Sequence, residues 1–174
     1  NGYVYVGSND NNLYQLDAFD ISQPAIHTFN DGGLAGDFVS TPAVANGYVY
    51  AINGNGYIYQ LNANDLSFVH KYFIGSTTGE FSAPTVANGY VYAVILAGYM
   101  RGVLYQLDAN DITIQIANYT DTNTYGYHST PSVAYGYVYF SGMGGGNEGK
   151  LYQVNASNVS QKVAEIPTNF IYSS

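Results

Sequence analysis

Two short motifs recur four times each along this chain, and that double periodicity limits its fold more tightly than any other feature. The first reads Asn1-Gly-Tyr-Val-Tyr5, Asn46-Gly-Tyr-Val-Tyr50, Asn88-Gly-Tyr-Val-Tyr92 and Tyr135-Gly-Tyr-Val-Tyr139. The second keeps step with it as Leu13-Tyr-Gln-Leu-Asp-Ala18, Ile58-Tyr-Gln-Leu-Asn-Ala63, Leu104-Tyr-Gln-Leu-Asp-Ala109 and Leu151-Tyr-Gln-Val-Asn-Ala156. A third piece, Ser40-Thr-Pro-Ala-Val-Ala45, Ser82-Ala-Pro-Thr-Val-Ala87 and Ser129-Thr-Pro-Ser-Val-Ala134, directly precedes three of the first motifs. Recurrence at 42 to 47 residues marks a repeat protein in which each unit is one supersecondary element that cannot bury its apolar face alone.

Period-2 alternation and turn chemistry resolve each unit into strands. Pro-x-Val-Ala reads as a short strand. Asn-Gly reads as a two-residue hairpin turn, whose positive φ angles suit those residues, and Tyr-Val-Tyr as the strand returning from it. A Gly/Asn-rich hairpin then leads to Leu-Tyr-Gln-Leu, an Asp/Asn turn, and a fourth strand such as 68–73 or 112–117. Four antiparallel strands in about 45 residues make one propeller blade. The expected fold is therefore all-β, a β-propeller of four-stranded antiparallel blades, with no helix longer than about two turns. The 174 residues form one propeller domain or segment, with repeats at approximately 1–41, 42–83, 84–130 and 131–174.

Within this frame the two tyrosines of the first motif share a face and the valine takes the other, while Tyr14 shares a face with Leu16. Blades stack on both faces, so both tyrosine sets are expected in the core rather than on a ligand platform. Val4, Val49, Val91 and Val138, with Leu16, Leu61, Leu107 and Val154, are expected to be buried. The first unit lacks its Pro-x-Val-Ala strand, leaving an edge that must be closed, covered or extended. A closed four-bladed ring, a part of a larger propeller, and pairing with neighbouring copies all satisfy that need.

The residues resemble the pyrroloquinoline-quinone-like (PQQ-like) repeat of β-propellers, in which a unit reads roughly Pro-x-Val-x-x-Gly-x-Val-Tyr, a Gly/Asn turn, then Leu-Tyr-Ala-Leu-Asp-Ala. The resemblance covers nearly all of the chain. It implies the fold firmly and the function hardly at all, since the superfamily includes quinone-dependent alcohol dehydrogenases, an outer-membrane assembly lipoprotein and many non-enzymatic surface proteins. Two family features are missing. The Trp that ends the family's turn is absent, those positions reading Phe19-Asp20-Ile21-Ser22, Asn64-Asp65-Leu66-Ser67, Asn110-Asp111-Ile112-Thr113 and Ser157-Asn158-Val159-Ser160. The vicinal disulfide below the quinone is impossible, because the chain has no cysteine.

Composition excludes further classes. Four Lys+Arg against twelve Asp+Glu leave a formal net charge of -8 and no basic stripe to neutralise phosphates, so nucleic acid is not an expected partner. No apolar run approaches the roughly 18 residues of a membrane-spanning helix, and no membrane insertion is expected. His27, His70 and His128 occupy non-equivalent repeat positions, which offers no metal triad or acid–base pair. Asp20, Asp65 and Asp111 share one repeat position and Asp17 and Asp108 another, as turn-forming side chains do and a single active site does not. Ser8–Asn12 and Gly142–Asn147 read as polar hairpin tips that need no ion or phosphate. No catalytic residue, metal or cofactor is expected.

Loop length breaks the symmetry. From the last Tyr of the first motif to the start of the second is 8 residues in units one and two and 12 in units three and four. The longer loops, together with the connection before the last blade, place Tyr99, Arg101, Tyr125, Tyr127, His128 and Glu148 on one end of the propeller as a candidate binding face. Asn118, Asn155 and Asn158 head N-glycosylation sequons. With few lysines and an acidic, Tyr/Asn-rich surface, they imply an extracellular or cell-surface location. The expected function is a non-enzymatic structural or interaction module, for instance a repeating subunit of a surface layer or fibre that meets copies of itself through unpaired edge strands. A glycan- or protein-binding propeller using the long-loop face is the alternative, and a quinone-dependent dehydrogenase fragment stands third.

Overall fold

A computed structural model describes residues 2–32, 36–38, 40–75, 82–96, 102–122, 124–127, 129–144 and 148–169. Its described residues contain strands and turns and no helix. The first sheet holds β1 (Tyr3–Gly7), β2 (Leu13–Asp17) and β3 (His27–Phe29). The second holds β4 (Ala43–Ala45), β5 (Tyr48–Ile52), β6 (Tyr57–Asn62) and β7 (Phe68–Phe73), in that order. The third holds β8 (Thr85–Ala87), β9 (Tyr90–Leu96), β10 (Gly102–Asp108) and β11 (Gln115–Thr120). In the fourth, β12 (Thr124–Tyr127) and β13 (Ser132–Ala134) pair with opposite ends of β14 (Tyr137–Gly144), followed by β15 (Glu148–Asn155) and β16 (Asn158–Asn169). All pairings are antiparallel, as the repeat reading requires.

The turns carry the chemistry read from the repeat. Asn46 and Gly47 sit at φ 54° and 80°, Asn88 and Gly89 at 55° and 81°, the paired left-handed conformation of a tight hairpin. The fourth copy keeps this geometry with a poorer residue, Tyr135 at φ 51°. At the other repeated turn, Asp17, Asn62, Asp108 and Asn155 each accept the amide two residues on, at 2.7, 2.8, 2.7 and 2.9 Å. Asp20, Asp65, Asp111 and Asn158 do the same three residues later. Each unit therefore closes its last hairpin with two successive Asx turns. This double turn delays the fourth strand of unit three to Gln115, three residues later than the alternation suggests, and leaves Ile112 as a buried plug.

Three hydrophobic clusters join the sheets in sequence. Leu13, Val49, Tyr59 and Leu61 pack the first on the second, Tyr50, Ile58, Val91 and Leu107 the second on the third, and Tyr92, Leu104, Val138 and Val154 the third on the fourth. Among the described residues no cluster joins the fourth sheet back to the first, so the four blades form an open arc. Val49, Val91, Val138, Leu61, Leu107 and Val154 are buried as expected. Val4 and Leu16 are not: Val4 is 38% exposed and Leu16 half-buried, because no preceding blade covers the face of the first sheet that carries them.

Candidate functional site

The polar residue inside the second motif has a single job in each covered blade. Gln15, Gln60 and Gln106 lie mid-strand and are completely buried, where an unpaired amide is costly. Each reaches across to the next blade. Gln15 Nε2 donates to the carbonyls of Ala63 and Asn64 at 3.0 and 3.2 Å, Gln60 Nε2 to those of Ala109 and Asn110 at 3.2 and 3.1 Å, and Gln106 Nε2 to that of Ala156 at 3.0 Å. The second tyrosine of the first motif joins it: the hydroxyls of Tyr5, Tyr50 and Tyr92 donate to the same carbonyls of Ala63, Ala109 and Ala156. Burial pushes the hydroxyls of Tyr50 and Tyr92 up to about 12, so both remain donors throughout the neutral range.

The receiving alanine is held ready by the hairpin turn. Ala63, Ala109 and Ala156 donate their amides to the carbonyls of Gly47, Gly89 and Gly136, each at 2.9 Å, which aims their own carbonyls at the preceding blade. The glutamine oxygen completes the clamp, accepting from Ile112 N in one interface and Val159 N in the next. At the first interface His27 Nδ1 takes that oxygen at 2.6 Å. The repeat thus builds a tyrosine–glutamine clamp that locks blade to blade without a tryptophan. Sequence reasoning treated the motif as apolar core and missed it. The signal available was a glutamine at the same interior strand position in all four units.

A second link runs along the outer side. Tyr59 donates to Asp31 Oδ2 at 2.7 Å while Lys71 pairs with it at 3.0 Å, and Tyr152 donates to Asp121 Oδ2 at 3.0 Å while Lys150 lies 3.5 Å away. These bonds tie blade one to two and blade three to four. They also drive the Tyr59 hydroxyl upward, burial leading and Asp31 adding to it. In the Ser8–Asn12 hairpin, Asp10 accepts from Tyr14 and Asn12, and the Tyr14 hydroxyl bond lowers its carboxyl to about 2.

Of the expected binding face, Tyr127 is 2% exposed. It lies edge-on to Phe140 and Tyr152 within the cluster between blades three and four. It fits only because Gly102 and Gly142 flank its ring, where an added Cβ would stand 2.5 and 2.6 Å away. Tyr127 therefore belongs to the core rather than to an accessible surface. Glu148 is exposed, while Tyr99, Arg101 and His128 and the side chain of Tyr125 lie outside the described residues. Among the sequons, Asn118 is exposed; Asn155 and Asn158 serve as the Asx-turn acceptors of the last blade, each also bonding the hydroxyl of its own Ser, at 2.8 and 2.7 Å. The Asn158 sequon thus stands where other units carry Asp20-Ile-Ser, Asp65-Leu-Ser and Asp111-Ile-Thr. A cavity of about 350 Å³ opens beside Asn155, between blades three and four, lined by Asn88, Tyr90, Gly136, Asn155, Ala156 and Ser157.

The architecture recurs in solved structures. The quinohemoprotein alcohol dehydrogenase from Comamonas testosteroni superposes with a TM-score of 0.75 at 14% identity, over 95% of this chain and 33% of that one. BamB from Moraxella catarrhalis gives 0.61 at 16%, over 95% and 58%, and the computationally designed Ika8 protein 0.72 at 9%, over 95% and 46%. The fold is that of a β-propeller. No protein-family model and no curated protein matches the sequence. The chain spans about a third of the dehydrogenase and just over half of BamB, so these likenesses concern the propeller architecture. In this propeller the tyrosine, glutamine and alanine repeated from unit to unit fasten one blade to the next, while the repeated Asp and Asn side chains close turns within each blade.

Proposed function

We propose that this propeller is a non-enzymatic structural or interaction module that works outside the cell or at its surface. The observation that carries the reading is the assignment of the repeated polar residues to interblade clamps and turns. Gln15, Gln60 and Gln106 fasten blades; Asp20, Asp65 and Asp111 close turns, with carboxyls held below the usual range chiefly by the Ser22, Ser67 and Thr113 hydroxyls. Repetition in this chain thus serves assembly. Low lysine content, a net charge of -8 and the sequon at exposed Asn118 support the extracellular location.

The test of the non-enzymatic reading is direct. The protein is incubated with pyrroloquinoline quinone and calcium, passed through gel filtration, and assayed for alcohol or aldose oxidation with an artificial electron acceptor. No retained quinone and no turnover are expected. A stoichiometric retained cofactor, or turnover abolished by chelator, would promote the dehydrogenase reading that the Comamonas testosteroni neighbour raises. The location is tested by the intact mass of natively produced protein, which exceeds that of the bare polypeptide if a sequon carries glycan.

A further inference from the structure

The cavity of about 350 Å³ between blades three and four lies at the hairpin end of the propeller, where Tyr137 pairs with Asn155, and away from the long-loop end, where Met143 pairs with Gly149. Its surroundings depart from the repeat. At the two earlier interfaces the receiving blade carries Asn46 and Asn88 at the head of its hairpin, and Asn64 and Asn110 just past the receiving alanine. Here those positions hold Tyr135 and Ser157. Ser157 puts a shorter side chain on the cavity wall than either asparagine would, and Asn155 supplies a neutral amide where Asp108 supplies a carboxylate.

Tyr135 is a residue that folding does not account for. It directly precedes Gly136 of the cavity lining and sits at φ 51°, a left-handed conformation that asparagine tolerates and a bulky aromatic does not. Its side chain is 96% exposed, so no packing offsets the strain. A strained backbone that contributes nothing to the core points to a role at the surface. The cavity beside it is firmly built. Ala156 is buried in the lining, its amide bonds Gly136 O at 2.9 Å, and its carbonyl is fixed by Tyr92 and by Gln106 Nε2.

We propose that this cavity binds a neutral sugar ring of a glycan, with the Tyr135 ring as the stacking platform at its rim. The chemistry of the lining selects that class. Its polar side chains are Asn88, Tyr90, Asn155 and Ser157, amides and hydroxyls that can both donate and accept, as the hydroxyls of a sugar require. The Asn88 amide and the Tyr90 hydroxyl hydrogen-bond no other described group and are therefore open to a ligand. Ala156 and the half-buried Tyr90 ring give the apolar surface that the C–H face of a sugar seeks, and the volume lies within the range of small-molecule sites. No charged residue lines the cavity, and a net charge of -8 opposes an anionic ligand.

The inference rests on reading the chain as an interaction module and names the ligand class of one site on it. The probes are the methyl glycosides of glucose, galactose, mannose and N-acetylglucosamine, with glucuronic acid as the anionic comparison, titrated against the whole chain by saturation-transfer NMR and near-ultraviolet circular dichroism of tyrosine. At least one neutral glycoside is expected to bind with a Kd of about 0.1–10 mM, and glucuronic acid more weakly than the glucoside. Tyr135→Asn restores the residue of the earlier hairpins and is expected to weaken binding about tenfold or more while the melting temperature holds or rises, an opposition that a purely structural tyrosine would not produce. Tyr135→Phe keeps the ring and is expected to keep binding. Ser157→Phe fills the cavity with the residue that the first blade carries there as Phe19, and is expected to abolish binding with an unchanged far-ultraviolet spectrum. No neutral glycoside bound at about 10 mM, binding that survives Tyr135→Asn or Ser157→Phe, or glucuronic acid bound as tightly as the glucoside would each overturn the proposal. Quinone turnover would sink the non-enzymatic reading and leave the glycoside titrations unchanged, so the two failures are distinguishable.

Discussion

Replacing Gln106 with Leu tests the clamp at its best-formed instance. The substitution keeps the side-chain volume near that of Gln and removes two buried hydrogen bonds, Nε2 to Ala156 O and Val159 N to Oε1. Ala156 O retains the Tyr92 hydroxyl, so the first loss is that of an ordinary hydrogen bond, about 1 kcal/mol. Val159 N is left without its partner beside a side chain that is completely buried, which costs about 1–3 kcal/mol. The apolar gain of Leu offsets part of this, giving a net destabilisation of about 2–3 kcal/mol, or about 4–12 °C in Tm for a domain of this size. Gln153→Leu is the internal control, since the same residue at the same repeat position clamps no following blade within the chain; its expected effect lies within about 0.5 kcal/mol. Both are compared by thermal and urea unfolding followed through tyrosine fluorescence and circular dichroism. Equal melting temperatures for the two variants would refute the clamp as the interblade lock.

Other consequences are equally open to measurement. Val91→Asp or Leu107→Asp should cost several kcal/mol by burying an unpaired charge between blades two and three, whereas Val4→Asp at the equivalent position should leave the melting temperature of the single chain nearly unchanged. Tyr135→Asn should raise stability by about 0.5–1 kcal/mol, because Tyr135 sits at φ 51° and is 96% exposed, so the substitution relieves backbone strain and sacrifices little packing. Asp20, Asp65 and Asp111 have folded pKa values depressed below 3.8, so their contribution is present above the unfolded value and is lost as pH falls below about 4 through the folded values. Changing all three to Asn keeps the turn acceptor that Asn158 already uses, and should flatten the acid limb of a melting-temperature profile while leaving neutral stability close to that of the parent.

How far the sequence reached follows from the range of the forces involved. Strand alternation, the Asn-Gly hairpins and the Asx turns are contacts among residues a few positions apart, and a repeat writes each of them several times. The four blade units, β7 at Phe68–Phe73 and the turn role of Asp20, Asp65 and Asp111 could therefore be read directly from the chain. Which sheet faces are covered could not. Val4 and Val91 occupy the same place in the same motif, and only the presence of a preceding blade separates a surface valine from a core one. Tyr127 lies in a segment that the repeat does not describe. Its burial depends on Gly102 in the preceding blade and Gly142 on the adjacent strand, a juxtaposition made by stacking two sheets rather than by local pattern. The clamp stands between these limits: its glutamines recur visibly, but their acceptors lie 48 to 50 residues away on the next blade. A buried amide requires a partner wherever it sits, and only the tertiary arrangement determines which carbonyl supplies it.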